Sequence, residues 1–224
     1  MLGPLRVEVG AWRVHPAHFV ERHGLIVIIA IGEALVAIGF GARATALGAV
    51  VIVAALLGLI VAASLWLAYF DFFSRGMQQL LVGRRGEQRV ALARDVYTYL
   101  HLPMVLGIVF FAFGMRATLA DVHGELRGPA GFCLTAGPAI YLLAFSVVRW
   151  RVSHTLSRGR SIASILFLAL FPVEVVLPAF AALALVCAVW VGLHAYELIW
   201  WRDARVRRRA EAITDDTRAD ALPG

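Results

Sequence analysis

Apolar residues in this chain come in long unbroken runs, separated by short stretches rich in arginine. Several runs reach the roughly 20 residues that an α-helix needs to cross the hydrocarbon core of a bilayer. Continuous runs, as opposed to the period-two alternation of barrel strands, exclude an outer-membrane barrel. The pattern predicts an all-α, polytopic transmembrane helical bundle, a single domain over residues 1–201 followed by a polar tail, 202–224. Spans are expected at about 25–41, 46–70, 96–114, 129–149, 161–177 and 179–201.

The last two spans form one apolar stretch, and the arginines decide between one crossing and two. With six spans, all 21 arginines except Arg43, Arg116 and Arg127 share one side. With five spans the tail moves across and most of that asymmetry disappears. The positive-inside rule therefore favours six spans, both termini in the cytoplasm, and a tight outer turn between Pro172 and Pro178. Trp66, Tyr69, Trp150, Trp200 and Trp201 lie near the arginine-rich ends, as interfacial anchors do. The segment from Asp71 to Arg94 is the largest connection, and its second part reads as a surface helix leading into the third span. Residues 1–17 carry Arg6, Glu8, Arg13 and two prolines where a signal peptide has an apolar core, so the first span is expected to double as the insertion signal.

Composition agrees with this class. Hydrophobic residues make up 61% of the chain, charged residues only 16%, and the mean hydropathy is +0.79, which is not a soluble globular composition. A net charge of +6 and a pI near 10.1 would suggest nucleic acid in a soluble protein. Here the charge is confined to loops and tail, where it suits anionic headgroups; the bilayer, not nucleic acid, is the expected partner. Cys133 and Cys187 lie inside spans, with neither disulfide nor zinc spacing, and read as small buried apolar residues. No phosphate-binding glycine loop, HExxH or GxSxG is present, so nothing supports an ATPase or a familiar hydrolase, and no enzyme activity or cofactor is expected.

Candidate chemistry centres on the segment from His18 to Gly41, where Glu33 alone interrupts the apolar run. A carboxylate near mid-span costs about 2.5–3.5 kcal/mol on insertion scales. Helical geometry groups Ile28, Ile31, Leu35 and Ile38 on one side, expected to face lipid, and Glu33 with Arg22, Ala30 and Ala37 on the other, expected to pack inward. Glu33 is then either a hydrogen-bonded tie between helices or a titrating, cation-binding group. His18 and Glu21 share a helical face beside Arg22; two ligands and an arginine suit a salt-bridged membrane-entry cluster better than a metal site. Tyr97 and His101 lie one turn apart, with Arg94 continuing their stripe, and Pro103 and the Gly137-Pro138 pair mark expected kinks. Trp190, His194, Glu197 and Trp201 form a second stripe that reads as an interfacial anchor face, of which His194 is the deepest candidate. Asp71 is expected to bound the second span, and Glu174 to face the outer surface.

The segment HFVERHGLIVIIAIGEALVAIG resembles the signature of the low temperature requirement A (LtrA) family of bacterial membrane proteins. LWLAYFD over residues 65–71 is similar to that family's aromatic-Asp helix end, and Tyr97 to Pro103 with Gly107 to Val109 to its YxYLHLPxxxGIV block. Gly137 to Tyr141 and Arg149 resemble its next helix. An N-terminal half opening on an FFDLVF-like segment is absent, so the chain resembles a C-terminal half. The resemblance implies a multi-pass protein of the bacterial inner membrane linked to growth in the cold, with no settled substrate. Two roles are expected from these features. One is part of a permease or ion-linked transporter of a small solute or ion. The other is a non-catalytic scaffold that assembles with itself or with a partner half.

Overall fold

A computed structural model describes residues 16–43, 46–84, 86–174 and 176–220, with the side chains of residues 16, 17, 71, 72, 75 and 200–220 outside the description. The chain is all helical in its named elements: α1 (Pro16–Arg43), α2 (Ala49–Leu67), a π-helical stretch π1 (Ala68–Ser74), α3 (Arg75–Gly83), α4 (Gly86–Ala93), a second π-helical stretch π2 (Arg94–Leu100), α5 (His101–Ala120), α6 (Pro129–Ser153), α7 (Arg158–Glu174) and α8 (Ala179–Asp220). Five helical stretches are long and apolar enough to cross a membrane: His18–Arg43, Ala49–Phe70, Gly86–Ala120, Pro129–Ser153 and Ala179–Ile199. The protein is thus an all-α polytopic bundle, as its hydropathy predicts. With 17 residues, α7 is about 26 Å long.

Contacts at the helix ends fix the course of each helix. At one end, the His23 ring meets Tyr97 at 4.6 Å, Arg151 reaches Asp95 at 2.9 Å, and Gly159 at the start of α7 abuts Tyr196 late in α8. At the other, Gly41 abuts Arg116 and Leu119, Gly131 abuts Glu174, and Ala179 N–H donates to the Gly124 carbonyl at 2.8 Å. So α7 runs the length of the bundle antiparallel to α8, with the chain reversing between Glu174 and Ala179 where a tight turn is predicted. Arg149, Arg151, Arg158 and Arg160 gather at the first end, and Arg43, Arg116 and Arg127 at the second; α7, which overlaps the expected span at 161–177, is not among the five stretches long and apolar enough to cross a membrane.

At the centre, α5 and α6 cross backbone to backbone. A Cβ on Gly107 would lie 2.6 Å from the Gly137 carbonyl oxygen, and one on Gly137 would lie 2.6 Å from the Gly107 oxygen. Lipid tails are as apolar as leucine, so small residues that admit close approach hold such helices together. Gly137 and Pro138 are buried in this crossing. Cys133 and Cys187 are buried free thiols, as their surroundings in the sequence suggest.

Three expectations are corrected. The first part of the connection after Asp71 is no loop, since helix continues through π1 and α3 to Gly83, while its second part, α4, runs through π2 into α5 as expected. Tyr141 explains how π1 is tolerated, since its phenol donates to the Leu65 carbonyl at 2.7 Å. Pro103 lies just past π2; its missing amide and its ring disturb the turn containing Tyr99. Second, Glu33 is exposed on α1, whose inward seam is Val27, Ala30, Ile31, Ala34, Ala37 and Ile38. Glu33 precedes Ala34, the seam's centre, by one residue, about 100° of rotation. Ile31 and Ile38, expected toward lipid, are buried. Third, Glu174 is 1% exposed, with neither carboxyl oxygen hydrogen-bonded among the described residues, so it does not face the outer surface. It is held inward against Gly131, whose missing side chain makes the room.

Candidate functional site at the arginine-rich end

Both π-helical stretches contribute a buried tyrosine to one cluster. Tyr69 from π1 and Tyr97 from π2 stand on either side of His101, with ring centroids 5.8 and 5.9 Å from the imidazole. From α1, His23 lies 5.2 Å from His101 and 4.6 Å from Tyr97, while Phe19 and Phe73 close the edges. His23 Nδ1–H donates to the Phe19 carbonyl at 2.8 Å, which in the neutral ring leaves Nε2 as acceptor.

The cluster is polar at its centre and unpaired. The hydroxyls of Tyr69 and Tyr97 and both ring nitrogens of His101 are buried with no hydrogen-bond partner among the described residues. Each such group costs about 1–3 kcal/mol when left unsatisfied. Such groups are kept where something else meets them, and π-helical turns recur at functional sites. These donors and acceptors can hold a water, a small polar solute or a proton in transit.

Of the residues the sequence singles out, Tyr97 and His101 come together here. The others lie elsewhere. His18 and Glu21 pair at 3.7 Å, both exposed, and Arg22 beside them is exposed. Glu33 faces outward, and the side chain of Asp71 lies outside the described residues. Arg94 does not continue the Tyr97 stripe: π2 breaks the α-helical period, and Arg94 turns outward to Asp95 at 3.2 Å. His194 stacks on Trp190 at 5.7 Å in a separate group. Among the described residues, no three His, Cys, Asp or Glu side chains gather as metal ligands would.

Sequence reasoning misses three features. Tyr69 reads as an interfacial anchor, yet it is fully buried; only its place in LWLAYFD sets it apart. His23 is recognisable as a polar neighbour of the first span but not as a partner of His101. The stripe of Trp190, His194 and Glu197 faces protein, not the interface: Trp190 is fully buried, and Glu197 accepts from Arg160 Nε at 2.8 Å. The guanidinium of Arg160 also lies 4.8 Å over the Phe145 ring, a cation–π contact. The fourth member, Trp201, lies outside the described side chains.

An uncharacterized protein, RA0937, of Rhizobium meliloti (strain 1021) is 30% identical over 138 residues, covering 56% of this chain and 30% of that one. The chain thus matches under a third of that relative's length. No solved structure matches. Residues 1–195 match the family of the bacterial low temperature requirement A protein, LtrA, and the chain belongs to that family.

Proposed function

We propose that this LtrA-family membrane protein serves in the bacterial inner membrane as part of a permease or ion-linked transporter of a small solute or ion, without enzymatic chemistry. The observation that carries this reading is the buried core of Tyr69, Tyr97 and His101, whose polar side-chain atoms have no hydrogen-bond partners among the described residues. Histidine within a span is the side chain suited to accept and release a proton near neutral pH. The two phenols offer relay positions on either side, one on each helix that meets α1. Glu33 and His18 have no part in this site, since both face away from it.

Proton flux tests the reading without knowledge of the solute. In proteoliposomes holding a pH-sensitive dye, an imposed potassium diffusion potential drives proton uptake through the parent chain. His101→Gln is expected to lower the rate about tenfold or more, equivalent to about 1.4 kcal/mol in the barrier. A parent that moves no protons, or a variant as fast as the parent, removes the proposal.

The outward Glu33 favours a second reading, assembly between two copies. A carboxyl facing lipid bears the cost of about 2.5–3.5 kcal/mol, which a protein neighbour relieves. Around it Gly32 and Gly39 face open space, where a second helix could approach closely. A cysteine at Val36 on this exposed face should then crosslink between copies more readily than one at Ile165 on α7. Equal, background-level crosslinking would count against assembly through α1.

A further inference from the structure

At the arginine-rich end, π1 and α3, the end of α6, the start of α7 and α8 at Tyr196 and Glu197 enclose a cleft of about 840 Å³, which adjoins the Tyr69–His101 core through Phe73. Its floor is apolar, formed by Phe73, Met77, Leu80, Val148 and Val152, and its polar wall carries Arg149, Arg158 and Arg160. Among the described residues, the only carboxylate lining it, Glu197, is already paired with Arg160. Arg149 donates to the Thr155 hydroxyl at 3.3 Å, and neither it nor Arg158 has an ion pair among the described residues. The cleft therefore holds an excess of positive charge.

The backbone adds to it. Ser161 N–H donates to the Ser157 carbonyl at 2.9 Å, which makes Ser157 the residue before the first turn of α7. The amides of Arg158, Gly159 and Arg160 are then first-turn donors without acceptors in the helix, and all three residues line the cleft. A helix start of this kind favours an anion through both its free N–H groups and its dipole. Gly159 lets this turn press on α8, since a Cβ there would lie 2.8 Å from Tyr196.

We propose that this cleft binds the phosphate headgroup of an anionic membrane lipid, with an acyl chain laid along its apolar floor. Phosphate chemistry accounts for the arginines and the helix start, and a free phosphate would share it. The apolar floor, at the end of the bundle where headgroups begin, selects the lipid. The assignment stands apart from transport, because none of Tyr69, Tyr97 or His101 lines the cleft.

The test is native mass spectrometry of the full chain in detergent with dioctanoyl phosphatidylglycerol, dioctanoyl phosphatidylcholine or inorganic phosphate. Phosphatidylglycerol should be retained one to one and the other two released at the same activation energy. The double variant Arg149→Gln/Arg158→Gln, altering two exposed side chains, should weaken retention about tenfold or more. Arg127→Gln at the opposite end should leave it unchanged. Val152→Trp fills the floor while keeping every charge and should also reduce retention, which keeps the test decisive if the double variant fails to fold. Equal retention of the two lipids, retention of phosphate alone, or full retention by Val152→Trp would each overturn the proposal.

Discussion

Replacing Gly137 with alanine lowers the melting temperature of the detergent-solubilised protein by about 5–10 °C, and replacing it with leucine prevents recovery of a monodisperse bundle. The added Cβ meets the Gly107 oxygen at 2.6 Å and the Phe111 nitrogen at 2.7 Å. Both are backbone atoms in the middle of α5, so no flexible side chain can move aside. Overpacking of this kind costs about 1–3 kcal/mol even where side chains can adjust. For a chain of this size, each kcal/mol corresponds to about 2–4 °C. Separation of α5 from α6 also loosens the second close approach, where Gly114 faces Leu134. Gly192→Ala is the control, since Gly192 on α8 faces open space and its substitution should change the melting temperature little. A Gly137→Ala protein as stable as the parent would mean that these helices do not touch backbone to backbone.

Loss of Glu197 is the second large effect. Arg160 and Glu197 join α7 to α8 through side chains only 9% and 12% exposed. Removing one partner of a buried pair costs about 3–5 kcal/mol where it leaves the other charge uncompensated, whereas replacing both with apolar residues is often neutral; Arg160 has interactions besides Glu197, which moderates the cost here. Glu197→Ala should therefore melt well below the parent, and Arg160→Met/Glu197→Leu should recover most of the loss. Arg160 keeps its contact with the Phe145 ring in the single variant, which places the expected loss toward the lower end of that range. If the double variant is no more stable than the single one, the two side chains do not depend on each other.

The two effects differ in how far they can be read from the residues alone. Gly137 beside Pro138 signals an irregular position, but a kink and a close crossing leave the same mark in a sequence. Glu197 is one turn from His194 on a stripe ending in tryptophan, which looks like an anchor at the membrane surface. Its partner Arg160 is 37 positions away, across the turn between α7 and α8. Nothing in the local pattern of either segment identifies the other.

What the sequence determines by itself is what runs along one dimension. The length of each apolar run fixes which stretches can cross a bilayer, the arginine-rich connections fix which ends lie together, and the ordered motifs from His18 to Arg149 carry the family. Rotation of each helix about its axis is another matter. Lipid tails and a helix core are equally apolar, so a membrane span carries little contrast between its two faces. That is why Glu33 could be read as inward although the seam of α1 centres on Ala34. Only the tertiary structure decides such rotations, because they are set by close fits such as Gly107 on Gly137. The π-helical turns depend on it in part: Pro103 marks π2 in the sequence, but that both turns carry Tyr69 and Tyr97 to meet His101 is set by packing.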